Sequence, residues 1–99
     1  MNPTFTKLYA VAEQAKACEP ALTAIQTAAN WDELCAHPKI KAWAVWFTQN
    51  VKECAPLYED YEAKRLYVAL RTPSYNNFIK KCDLLCVELV QLIRVKYEI

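Results

Sequence analysis

Residues 54–75 read CAPLYEDYEAKRLYVALRTPSY. Pro56 and Pro73 bracket a span without glycine, in which Ala63, Leu66, Tyr67 and Leu70 recur at steps of three and four residues. Proline is tolerated in the first turn of a helix and breaks helix interiors. The stretch therefore predicts one helix that opens at Pro56 and ends near Arg71, and a second that opens at Pro73 with Thr72 as its cap. Working outward, the same punctuation covers the chain. Prolines stand at 3, 20, 38, 56 and 73, and none of the 99 residues is glycine. Even spacing without strand-type turn residues marks five helix starts.

Periodicity assigns a face to each helix. The first, over about residues 4–18, aligns Phe5, Leu8, Ala12 and Ala15. The second opens at Pro20 and carries Leu22, Ile25 and Ala29. Asn30-Trp31-Asp32-Glu33 has the form of a capping box and begins a short turn over about residues 31–36. The third helix, expected over about residues 38–54, aligns Ile40, Trp43, Ala44, Phe47, Val51 and Cys54 and leaves Trp46 outside that stripe. On the fourth, Ala63, Leu66, Tyr67 and Leu70 form the main stripe, while Leu57, Tyr61 and Val68 lie opposite. The fifth, to about Tyr97, carries Phe78, Ile79, Cys82, Leu85, Cys86, Leu89, Leu92 and Ile93 on its buried face. The expected fold is all-α: one domain over residues 1–99, a compact bundle of about five helices with no sheet. Stacked helical pairs are the alternative. Lys7-x-Tyr9-Ala10-Val11 matches Lys41-x-Trp43-Ala44-Val45, and Lys16-x-Cys18-x-Pro20 matches Lys52-x-Cys54-x-Pro56, at offsets typical of two-helix repeats.

Composition narrows the function classes. An apolar content of 55% is that of a globular chain, and a domain of this length can build a core without metal or disulfide staples. No long apolar run marks a membrane span, and the N-terminus lacks a signal-peptide core. Five cysteines without a CxxC pair fit a reduced, cytoplasmic protein. The net charge of +1 is spread evenly, without the basic stripe of a nucleic-acid binder.

Few residues point to chemistry. Cys82 and Cys86, four apart on a helix, could supply half of a tetrahedral zinc site, with Cys18, Cys35, His37 or Cys54 completing it. All three of Cys54, Cys82 and Cys86 also sit on apolar stripes, where free cysteine packs as a small hydrophobe. His37 is the only histidine and Ser74 the only serine. No phosphate-binding loop, dinucleotide fingerprint or nucleophile elbow is present. The expectation is no catalytic residue, no metal and no cofactor.

Aromatic residues are the stronger signal. Trp46 lies off its helical stripe, and Tyr58, Glu59, Asp60, Tyr61 and Glu62 form an acidic, aromatic segment. Tryptophan and tyrosine dominate interface energetics, so these six residues are the expected partner-binding set. The acidic ones also have a local cause, since carboxylates are favoured in the first turns of a helix.

Ala17-Cys18-x-x-Ala21-Leu22, then Trp31-Asp32-Glu33-Leu34-Cys35, then Trp43-x-x-Trp46-Phe47 resembles a pattern in small helical proteins encoded by bacteriophages. The likeness covers about residues 16–50 and lacks the acidic-basic-glycine turn that precedes the tryptophans in that family. It implies an origin more than a mechanism. Small phage proteins without catalytic motifs act by binding and blocking host proteins, anti-CRISPR proteins among them. The expected function is thus a non-enzymatic protein-interaction module in the bacterial cytoplasm, an inhibitor of a host defence complex. Its partner would be a host protein, with a second copy of the chain as a further partner class. One alternative is a nucleic-acid-binding regulator that contacts phosphate through Lys39, Lys41, Lys80 and Lys81. Another is a metal protein or small enzyme using Cys35, His37, Cys82 and Cys86.

Overall fold

The computed structural model describes residues 1–98, and every regular element among them is helical. A 3-10 turn, Pro3–Phe5, leads into α1, Thr6–Gln14. There follow α2, Glu19–Thr27; α3, Trp31–Cys35; α4, Ile40–Asn50; a second 3-10 turn, Lys52–Cys54; α5, Ala55–Arg71; and α6, Tyr75–Tyr97. The expected bundle of helices is what the chain forms, with the short segment after Asn30 as a sixth helix. No helix among the described residues is long and apolar enough to cross a membrane.

Proline sets the boundaries, though not always from inside the helix. Pro20 and Pro56 occupy the first turns of α2 and α5. Pro38 and Pro73 stand in the turns just before α4 and α6. Ser74, not Thr72, caps α6: its Oγ accepts from the Asn77 N–H at 3.4 Å. Pro73 disfavours helical geometry at the residue before it, and Thr72 is extended. The first and third helices also end earlier than periodicity predicts, near Lys16 and Lys52. Each of these residues lies four positions before a proline, whose ring excludes the carbonyl there from a helical ladder.

The two endings differ. After α4 the chain runs through a 3-10 turn directly into α5. After α1 it makes a Schellman turn: Lys16 N–H donates to the Glu13 carbonyl and Ala17 N–H to the Ala12 carbonyl, both at 3.0 Å. Lys16 takes a φ of 64°, the left-handed position that glycine ordinarily fills. The two Lys-x-Cys-x-Pro matches thus fold in different ways.

The core is asymmetric. Phe5, Leu8 and Ala12 from the first turn and α1, Ile25 from α2 and Ala28 just after it, Trp31 and Leu34 from α3, and Ala44 and Phe47 from α4 close on Leu89, Val90, Ile93 and Tyr97 of α6. Phe5 meets Trp31 edge-on at 5.0 Å, and Phe47 meets Tyr97 edge-on at 5.7 Å. Asn2 ties down the N-terminus, since its side-chain amide donates to the Ala29 carbonyl at 2.7 Å. The one buried polar side chain in the core, Thr48, is satisfied by donation to the Ala44 carbonyl at 3.1 Å. α5 buries no residue fully, and neither does the first half of α6.

The far end of α5 and the first half of α6 therefore extend as an arm from a lobe made of the other elements and the second half of α6. The molecule measures 44 × 24 × 24 Å. Its accessible surface is 6352 Å², against about 5,800 Å² expected for a compact monomer of this mass.

Tyr97 fastens α6 to the lobe. It is fully buried, its hydroxyl donates to the Glu53 carboxylate, and the Cys54 sulfur lies 3.6 Å away. Burial, and then the bond to Glu53, push its phenol pKa far above the ordinary value near 10. A raised acid pKa in the folded state gives stability that is complete below pH ~10 and lost as pH rises further, because the unfolded chain ionises first. Tyr97→Phe should cost about 0.5–1.5 kcal/mol near neutrality and flatten the alkaline decline, as read by urea titrations between pH 7 and 11. An unchanged alkaline slope would contradict this role.

Candidate functional site: an exposed helical arm

The acidic segment at the start of α5 is folded back on its own bases. Lys64 bridges Asp60 at 3.0 Å and Glu88 of α6 at 2.7 Å. Arg65 grips Glu62 through two bonds of 3.1 Å, and this hydrogen bonding holds the Glu62 carboxyl below the usual carboxylate range. Glu59 makes no ion pair among the described residues. What looks acidic in the sequence is therefore close to neutral on the surface.

Tyr61 points inward. Its ring packs against the core, its hydroxyl lies 3.6 Å from the Cys86 sulfur, and burial raises its phenol pKa well above the ordinary value. Tyr58 is half-buried, with its ring 6.4 Å from that of Tyr61. Trp46 is half-buried too and packs on the core. It lines a cavity whose other walls come from α1, α2, α3, α4 and α6, and none from α5. None of residues 58–62 joins Trp46 in that lining, and Glu59 and Asp60 are the exposed members of the expected set.

The stripe that periodicity assigns to the core of α5 is the one left outside. Leu66, Tyr67 and Leu70 are 54%, 58% and 83% exposed, while Leu57 and Tyr61 from the opposite stripe pack against the core. The exposed run continues across the turn with Tyr75, 74% exposed, and with Ile79. The Arg71 guanidinium lies 3.9 Å over the Tyr67 ring, which stiffens the end of α5. Lys81 donates to the Thr72 hydroxyl at 3.4 Å, and neither it nor the exposed Lys80 has a carboxylate partner among the described residues. The arm thus presents leucine and tyrosine within a basic rim. Leu84, Val87 and Val95 add exposed apolar groups further along α6.

The other expected chemistries find little support in the geometry. Among the described residues no three of His, Cys, Asp and Glu converge on a point. His37 works as part of a turn: its Nδ1 accepts from the Lys39 N–H at 3.0 Å and its ring stacks on Trp43 at 4.4 Å. Of the four lysines considered for phosphate contact, Lys41 is committed to Asp83 at 2.7 Å. No family model, curated protein or solved structure matches the chain.

The thiols report this packing directly. Cys18 is exposed and Cys54 fully buried, and burial raises the thiol pKa of Cys54 and of half-buried Cys35. Since the thiolate is the reacting form, iodoacetamide at pH 8 should label Cys18 first, and Cys54 only after unfolding, as followed by mass spectrometry. Early labelling of Cys54 would show that the lobe is not closed as described.

Proposed function

We propose that the chain is a non-enzymatic protein-binding module that docks through the α5–α6 arm. One observation carries this: Leu66, Tyr67, Leu70 and Tyr75 stand exposed at the end of the arm, covered by none of the described residues. Soluble monomers rarely display large apolar patches without a use for them. Tyrosine and arginine, both present here, are the residues that carry most interface energy. The basic rim of Arg71, Lys80 and Lys81 selects a partner surface whose apolar groove is edged by acidic groups, because like charges would be excluded and opposite ones steered in. Occlusion of a host protein, the role implied by the phage resemblance, requires no more than such binding.

Two double substitutions test the proposal. Leu66→Glu with Leu70→Glu should leave the melting temperature nearly unchanged, since exposed positions move stability by only about 0.5 kcal/mol. It should lower capture of the bacterial partner by about tenfold or more, equivalent to 1.4 kcal/mol. Arg71→Glu with Lys81→Glu should weaken the same capture and reduce its salt sensitivity. Quantitative mass spectrometry of lysate pull-downs reads both. If light scattering shows a dimer that the leucine substitutions dissolve, the partner is a second copy of the chain. Identical capture by all three proteins would overturn the proposal.

A further inference from the structure

In the lobe, a half-open pocket of about 350 Å³ lies between α1, α2, α3, α4 and the second half of α6. Its walls are almost wholly apolar. The volume lies within the range of small-molecule sites, about 300–1,000 Å³, and far above the space that a single water needs.

Two unusual features meet at this pocket. Its lining is an apolar surface left open to solvent, and such surfaces mark binding sites more often than chance. Lys16, among the described residues the only one with a positive φ, is also the only charged residue in the lining. Holding a lysine where glycine fits freely carries backbone strain, and strain retained in a fold marks positions with a use.

The chemistry of the lining selects a ligand class. Its polar side chains are one lysine, the thiols of Cys18 and Cys35, and the indoles of Trp31, Trp43 and Trp46. No carboxylate, amide or hydroxyl stands among them. Such a wall accepts an apolar body and favours a head that only accepts hydrogen bonds. The lysine is exposed whereas Ala12, Ile25 and Trp31 are buried, so the charge belongs to the open end and the apolar walls to the deep end. We propose that this cavity binds a small apolar carboxylic acid, of the class of medium-chain fatty acids, with its tail among the indoles and its carboxylate on the Lys16 ammonium. The left-handed backbone at residue 16 is then the conformation that places the lysine at the mouth.

All three tryptophans of the chain line the pocket, so tryptophan emission, excited at wavelengths the six tyrosines do not absorb, reports on it. Decanoate, titrated below its micelle concentration, should give a saturable change in emission, and decanol of equal length should bind about tenfold more weakly, by the loss of one charge-assisted contact. Lys16→Gly should raise the urea midpoint by removing the strain, yet weaken decanoate about tenfold and leave decanol unchanged. Lys16→Met keeps the backbone strain and loses the charge, so it should show the affinity loss without the gain in stability. Absence of a saturable change with decanoate in the folded protein would overturn the proposal. Equal affinity for acid and alcohol, or an unchanged decanoate affinity in both Lys16 variants, would overturn the role of the lysine.

Discussion

Burial of the last turns of α6 is the constraint from which the rest of the structure follows. Leu89, Val90, Ile93 and Tyr97 occupy the centre of the lobe, and α1, α3 and α4 close around them. The Tyr97 hydroxyl then joins the end of α6 to Glu53 and the neighbourhood of Cys54, in the turn that links α4 to α5. The Lys7 ammonium lies 5.7 Å over the Tyr97 ring, which brings in α1 as well. A helix of 23 residues is about 34 Å long, and the lobe is too small to cover all of it. Whatever part of α6 the lobe does not reach must project, and α5 projects with it because the turn at residues 72–74 is short.

That division explains where affinity for other molecules can reside. In the lobe, apolar side chains have found one another, and the arm instead relies on half-buried contacts such as those of Val68, Leu85 and Cys82, with surface ion pairs around Lys64. Exposed ion pairs contribute about 0–1 kcal/mol each, so the arm is held more loosely than the lobe. A loosely held apolar surface and a deep apolar cavity are different kinds of site. The first suits a broad protein face and the second a compact ligand, and they share only α6, whose two halves serve them separately.

Much of the fold was legible in the proline spacing. The interruptions near Lys16 and Lys52 were legible in principle as well, because each lies four residues before a proline. The face of α5 was not. Its two apolar stripes are both helical in period, and periodicity shows that a stripe exists without showing which one meets a neighbour. Leu57 and Tyr61 won because they stand at the lobe end of α5, where α6 is already buried and where Tyr61 reaches Cys86. Leu66, Tyr67 and Leu70 lie beyond the reach of the lobe. Trp46, read as off its stripe, is half-buried like Ile40 and Trp43 on it and lines the same pocket, because the layer that covers it comes from other elements, which the pattern within α4 cannot reveal. The neutral character of residues 58–62 could have been read from Lys64 and Arg65, placed at the spacing of helical ion pairs. The cavity had a single trace in the sequence: a helix end at residues 16–18, in a chain with no glycine to close it.

Native-state hydrogen exchange along α6 tests the division most directly, since one continuous helix passes through both regions. Amides at residues 89–97 should exchange only with global unfolding, and those at residues 76–84 through local opening at much lower free energy. A step in protection between the two halves is the expected result. Uniform protection along the whole of α6 would contradict the separation of a closed lobe from an exposed arm.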